Sequence, residues 1–224
     1  MRIISLLLTS FIFVSGLQTA YAGIVLGGTR LIYSGANKET SITIKNPDKH
    51  TDYLIQSWLD NEDKNNSAKV PFVVTPPLFR LDRESDNILR IAHVDGNLPS
   101  DRETLYWLSV RSIGATEKEK KENSLQLVLR TRIKFIYRPS SLNKDDAANA
   151  YQSLTFTRQG NELVVKNPTP YYVTLASLKV GGKNIKEPGM VAPRGELRIK
   201  AAGAGTIEWQ SINDYGGTSQ TARQ

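Results

Sequence analysis

Few residues of this chain could do covalent chemistry. It has two histidines, His50 and His93, and no cysteine. A serine or threonine nucleophile needs a base held beside it. His50 lies in the polar turn Pro47-Asp48-Lys49-His50-Thr51-Asp52, His93 follows a strand pattern, and no G-x-S-x-G elbow is present. Cysteine nucleophiles are excluded outright, and histidine or cysteine pairs at metal-ligand spacing are absent. Asp60, Glu62 and Asp63 cluster with Asn61 and Asn65. These are oxygen ligands that suit calcium, but the ligand order and glycine of an EF-hand loop are missing, so a solvated turn is the better reading. Gly27-Gly28, Gly181-Gly182, Gly203-Ala204-Gly205 and Gly216-Gly217 follow no βαβ pattern and read as turns rather than phosphate cradles. No cofactor, no metal and no catalytic residue is expected.

The chemistry left to the chain is recognition, and its elements must supply the surface. Arg2, the apolar run Ile3 to Leu17 and the small-x-small triplet Ala20-Tyr21-Ala22 read as a secretory signal, residues 1–22, cleaved after Ala22. The alternative, an uncleaved anchor, is disfavoured because the run is short for a membrane span. The cleaved chain carries 28 Lys+Arg against 22 Asp+Glu, a charge of +6 after loss of Arg2. A basic balance suits nucleic acid or an acidic surface. No recognition helix or aromatic-basic RNA motif accompanies it, and export argues against nucleic acid, so an acidic protein partner or plain solubility fits better. An exported chain without cysteine must be held by its cores alone.

Those cores are all β. Val-, Ile-, Leu-, Thr- and Tyr-rich runs at 24–33, 40–46, 52–60, 70–74, 87–92 and 104–110 are separated by Asn, Asp, Gly, Pro and Ser clusters. With the strand that follows, they are the pattern of an immunoglobulin-like sandwich. A second set at 154–157, 162–166, 171–178, 196–200 and 206–212 predicts a smaller all-β domain, with at most one helical turn at 145–150. The polar stretch from Asn143 to Asn149 reads as the hinge, giving domains 23–142 and 143–224. The run Thr116–Asn123 is a solvated charged loop.

One strand stands out. In Asn123 to Tyr137 every odd position from Leu125 is apolar except Thr131: Leu125, Leu127, Leu129, Ile133, Phe135, Tyr137. Period-2 alternation marks a strand with one apolar face. From Leu125 it would span about 43 Å at roughly 3.3 Å per residue, against about 17–20 Å for a common strand. A strand so long outruns the sheet that buries it, and nothing blunts the surplus edge with charge or proline. A partner is expected to cover it. On composition alone, burial of its leucines in the chain's own core is an even alternative.

Taken together, six segments resemble the periplasmic pilus chaperones of the chaperone–usher pathway. They are Thr29-Arg30-Leu31-Ile32-Tyr33, Thr75-Pro76-Pro77-Leu78-Phe79-Arg80-Leu81, Leu98 to Trp107, Leu125 to Pro139, Asn167 to Val173, and Ile212-Asn213-Asp214-Tyr215-Gly216. Ser109 stands where that family usually has Asn, and Gly114 where it has Pro. The chain also stops at Gln224 without the disulfide many members carry, so a short last strand or a differently finished second domain is expected.

The resemblance implies two immunoglobulin-like β-sandwich domains in a boomerang arrangement. It implies a chaperone, without ATP or catalysis, that lends a strand to pilin (fimbrial) subunits lacking their last one and passes them to an outer-membrane usher. Leu125, Leu127 and Leu129 would be the donor-strand plugs. Arg30 and Lys134 would anchor the subunit's C-terminal carboxylate with charge-assisted hydrogen bonds. Glu103, Arg138 and Asp214 would form an interdomain ion triad. An uncovered donor strand also leaves room for a self-capping homodimer. The other functional class is a secreted immunoglobulin-like adhesion or carbohydrate-binding module. A lectin would expose clustered aromatics with acids in loops, whereas Trp58, Trp107 and Trp209 sit inside strand patterns and are expected in the core.

Overall fold

A computed structural model describes residues 23–115, 127–201 and 204–224. The signal segment, the run Thr116–Asn123 and Leu125 lie outside the described residues. The described chain is nearly all β and forms two sandwiches, each with its own core.

The first sandwich stacks two sheets. One is ordered β1 (Val25–Leu26), β3 (Glu39–Asn46), β7 (Ser85–His93), β5 (Phe72–Thr75). The other is ordered β2 (Arg30–Ser34), β9 (Val128–Arg138), β8 (Thr104–Gly114), β4 (Tyr53–Asn61), β6 (Leu78–Leu81). Inward positions alternate as the pleat requires: Ile42 and Ile44, Ile55, Leu89 and Ile91, Leu108, Phe135. Tyr33, Phe72, Tyr106 and Phe135 add an aromatic centre, with Phe72 edge-on to Phe135 at 4.9 Å. Edge-to-face pairs of this kind add stability beyond the area they bury.

The second sandwich packs the sheet β10 (Thr155–Gln159), β11 (Glu162–Lys166), β15 (Glu196–Lys200) on another ordered β13 (Lys183–Asn184), β12 (Val173–Val180), β16 (Ile207–Ser211), β17 (Ala222–Arg223). The short β14 (Met190–Val191) also pairs with β12. Leu163, Val165, Leu178, Val180, Val191 and Trp209 fill the centre. The helix α1 (Lys144–Asn149), capped by the Asn143 side chain, enters the domain and continues as a 3-10 turn over Ala150–Ser153. The terminal residue closes the sandwich. Gln224 Oε1 accepts from the Phe156 amide at 2.9 Å, and Gln224 Nε2 donates to the Phe156 carbonyl at 2.7 Å, so a side-chain amide stands in for one rung of a ladder.

The two domains repeat one device. Lys45-Asn46-Pro47 and Lys166-Asn167-Pro168 each place a buried asparagine at a strand's end, Asn46 as the last residue of β3 and Asn167 just past β11. Asn46 Nδ2 donates to the Thr51 carbonyl at 2.8 Å, and Asn167 Nδ2 to the Tyr171 carbonyl at 2.7 Å. Each buried amide is satisfied by the loop it folds back.

Two expectations are corrected. The run 24–33 is not one strand: Val25–Leu26 pairs with β3, and from Arg30 the chain pairs with β9 in the other sheet. Gly27 and Gly28 carry the crossing, and a Cβ on Gly28 would stand 3.2 Å from the Arg30 carbonyl oxygen. Trp209 is buried, but Trp58 and Trp107 are only partly buried and take arginines over their rings. They lie on the face of the sheet turned away from the core. Period-2 reading places them in strands without saying which face is covered.

Candidate functional site: an open strand edge beside a basic cleft

β9 is covered on one side along nearly all its length and on the other only in part. β8 pairs with it from Val128 to Tyr137, whereas β2 pairs with it in parallel only from Lys134 to Arg138. The cause is the crossing at Gly27-Gly28, which takes the preceding chain to the other sheet. From Val128 to Ile133 β9 therefore offers an unpaired edge of the kind natural sheets normally blunt. Leu127 is 69% exposed and Leu129 48%, with Val128 exposed between them. On the same face further down, Ile133 and Phe135 are buried. Leu127 and Leu129 thus stand outside the chain's own core.

Two cations mark the end of that open edge. Arg30 and Lys134 are direct partners in the parallel β2–β9 register, so both side chains point to one face. Arg30 Nη1 donates to the Ile212 carbonyl of the second domain at 3.0 Å, and its buried Nε has no hydrogen-bond partner. No carboxylate lies within 4.0 Å of either cation among the described residues. Burial pulls the Arg30 guanidinium down, with Asp214 and then Glu103 opposing it. Burial also pulls the Lys134 ammonium below its ordinary value, and the charge of Arg30 adds to the effect. Both groups gain from an anion that restores what burial removed.

Glu103, Arg138 and Asp214 come together in one network. Arg138 Nε donates to Glu103 Oε1 at 2.6 Å, and the two terminal nitrogens clasp Asp214 at 2.8 and 2.9 Å. Glu103 is almost wholly buried, and its other oxygen accepts from the Tyr172 amide at 2.7 Å. Burial works against the Arg138 charge, but the hydrogen bonds to Asp214 and the two carboxylates outweigh it and hold the guanidinium above its usual range. Burial pushes the Glu103 carboxyl up, with Arg138 pulling the other way.

Other features were not singled out from sequence. Asp101 pairs with Arg194, and Tyr172 Oη donates to Glu62 Oε2 at 3.0 Å, two further links between the domains. On the outward face of the β9 sheet, Arg111 and Arg130 lie over the Trp58 ring, and Arg132 and Lys134 over the Trp107 ring. The only sequence signal is the even-position run Arg130, Arg132, Lys134, which the odd-position leucines overshadow. The acidic cluster is dispersed. Asp60 takes Trp58, Ser109 and Arg130, Glu62 takes Tyr172, and Asp63 caps its own turn.

Residues 23–143 match the family model for the pili and flagellar-assembly chaperone PapD N-terminal domain, and residues 149–223 that for the pili assembly chaperone PapD C-terminal domain. The chain is 44% identical over 203 residues to the probable fimbrial chaperone LpfB of Escherichia coli O157:H7, covering 88% of this chain and 86% of that one. It is 42% identical over 203 residues to the chaperone FimC of Escherichia coli K12, covering 88% and 82%. Among solved structures, the Salmonella enterica SafB chaperone in complex with the SafA pilin superposes with a TM-score of 0.81 at 35% identity, covering 92% of this chain and 98% of that one. A cysteine-free pair of sandwiches with an open edge and a basic cleft between them therefore belongs to the family of pilus-assembly chaperones.

Proposed function

We propose that the chain is a periplasmic chaperone that completes pilin subunits by donor-strand complementation and hands them to an outer-membrane usher. The observation that carries this reading is the free edge of β9 from Val128 to Ile133, flanked by the exposed Leu127, Val128 and Leu129. A chain lacking a strand supplies main-chain groups for that edge and a groove for alternate side chains. The relative SafB, solved with its pilin, supports the assignment.

In this reading Leu127 and Leu129 fill the subunit's groove, as does Leu125, which lies outside the described residues. Arg30 and Lys134 hold the subunit's terminal carboxylate, and the triad of Glu103, Arg138 and Asp214 fixes the angle between domains 23–142 and 143–224. Pinning the chain end also sets register, since a slip of one residue turns every plug to the wrong face. Residues 1–22 direct export and are cleaved after Ala22. The work needs no ATP and no catalysis: the energy resides in the subunit's unfinished packing. The same uncovered edge lets the free chaperone cap itself as a homodimer.

The test is co-expression of the full chain with a pilin subunit and capture from the periplasm. Wild type should bring the pilin down in stoichiometric amount, and Leu127→Glu should not, while remaining folded and soluble. Equal pilin recovery by both proteins overturns the donor-strand role. An unfolded Leu127→Glu returns the leucine to the core.

A further inference from the structure

Along the open edge of β9, four side chains tie three strands together on the face turned away from the first core. Trp58 and Asp60 stand on β4, Ser109 on β8 and Arg130 on β9. Arg130 Nη2 donates to Asp60 Oδ2 at 2.7 Å and to Ser109 Oγ at 2.9 Å, and Ser109 Oγ donates to the same Asp60 oxygen at 2.7 Å. Trp58 Nε1 donates to Asp60 Oδ1 at 2.9 Å, and the Arg130 guanidinium lies over the Trp58 ring, 4.9 Å from its centroid. We propose that this network is a diagonal brace that holds the open edge of β9 in the shape a partner strand needs, with Asp60 and Arg130 as positioning residues. The inference rests on the reading of that edge as the strand lent to pilin, and deepens it.

The register shows why the link is diagonal. Arg130 stands opposite Arg111, and Arg111 opposite Gln56. Asp60 belongs to a different row, opposite Trp107, which in turn faces Lys134. The Arg130 guanidinium therefore crosses β8 and slants along the sheet to meet a carboxylate on the far strand. Main-chain bonds run across antiparallel strands and resist their separation. A strut set at a slant also resists twist and slip. Between Val128 and Ile133 β9 has β8 on one side and nothing on the other, and twist grows where a strand has few neighbours. A partner that adds itself to this edge must match it bond by bond, so an edge that is held in shape beforehand has less to reorder on binding.

The placement of the brace fits that role. Alternation puts Arg130 on the opposite face from Leu127 and Leu129, so it ties the edge down and leaves the plug face clear. Ser109 is fully buried, whereas the Arg130 and Asp60 side chains are 43% and 33% exposed. An ion pair so exposed adds little to global stability. Its effect is local, at the stretch of β9 that lacks a second neighbour.

Amide hydrogen exchange on the free mature chain tests the brace with no partner present. In Asp60→Ala the amides between Val128 and Ile133 that bond to β8 should exchange on the order of tenfold faster than in wild type, the mark of local opening. Phe135 to Tyr137, held by strands on both sides, and Leu163 to Val165 in the second domain should not change. Arg130→Lys keeps the charge and loses the planar fork; it should show the same local change, and it serves if Asp60→Ala does not fold. Mixed with a pilin subunit released from denaturant, both variants should form the complex several-fold more slowly than wild type. Unchanged exchange at Val128 to Ile133 in both variants overturns the brace, and slow capture would then mean that these side chains touch the pilin themselves. Faster exchange spread over both domains overturns it too, as general destabilisation. Faster local exchange with capture at the wild-type rate overturns the link to binding. Failure of the wild type to capture pilin would instead remove the donor-strand reading, and this inference with it.

Discussion

Arg30 and Lys134 are cations held together by the register of two parallel strands, partly buried and, among the described residues, without a salt-bridged counter-ion. Replacing either by Ala should abolish pilin capture and leave the melt near that of wild type. Loss of one donor from a desolvated charge contact costs about 2–5 kcal/mol of binding. Wild-type pilin recovery by both Ala variants would remove the anchor. The depressed Lys134 supplies a second prediction with a definite sign. Its pKa in the free protein lies below the ordinary 10.5, and a bound carboxylate raises it again. Binding therefore takes up protons in the alkaline window just below that value, and affinity for a free-acid peptide should fall as pH rises through it. Lys134→Arg, charged throughout, should show a flatter profile; identical profiles would refute the coupling. At this scale the sequence was a poor guide on its own terms. Thr29-Arg30-Leu31 and Ile133-Lys134-Phe135 are unremarkable strand segments, and without the family resemblance a pair of surface charges is the better reading. The pairing is tertiary: it exists because β2 joins β9 104 residues later at one particular register.

At the scale of elements, β9 was legible and its surroundings were not. The alternation of Ile133, Phe135 and Tyr137 marks the inward face directly, and the strand does extend past its cover. The crossing at Gly27-Gly28, which creates the free edge, lies inside a run whose strand pattern continues on both sides; the pair reads as a turn, but apolar pattern on both sides of it cannot show a change of sheet. Trp58 and Trp107 were misplaced for a related reason, since aromatic residues in strands favour neither face when arginines are present to stack on the outer one. The edge makes a position on β9 and the residue just before it behave oppositely. Ile133→Glu buries an unpaired carboxylate in the first core and should cost several kcal/mol, on the order of a core polar substitution. Leu127→Glu should melt near wild type, because Leu127 is mostly in water already. Thermal unfolding of the two variants side by side settles it, and comparable losses would mean that Leu127 packs inside. The closing rung made by Gln224 gives a further check. Gln224→Ala removes both hydrogen bonds to Phe156, and at about 0.5–1.5 kcal/mol each should lower the second domain's stability measurably; an unchanged urea midpoint would show the rung contributes nothing.

The whole molecule depends on how firmly its two sandwiches are set against each other, and the contacts between them differ in kind. Asp101–Arg194 and Glu62–Tyr172 lie in exposed positions, where ion pairs and hydrogen bonds are screened. Arg138 is different: its side chain is 7% exposed, it lies between Glu103 in one domain and Asp214 in the other, and the Glu103 side chain is 1% exposed. Removing one member of a buried pair leaves the other charge uncompensated, at about 3–5 kcal/mol, so Arg138→Ala should lower the melting temperature by several degrees. It should also widen the interdomain angle, since Arg138 is the only residue of the three that touches both carboxylates. Arg194→Ala, made at a half-exposed residue, should shift the melt by about 0–1 kcal/mol and leave the angle alone. Small-angle scattering on the two variants separates a hinge from a surface contact. A scattering curve for Arg138→Ala that overlays wild type, with a melt no lower than that of Arg194→Ala, would remove the triad from any account of the interdomain angle. The orientation would then rest on backbone contacts such as the Glu103 amide to the Pro170 carbonyl at 2.9 Å.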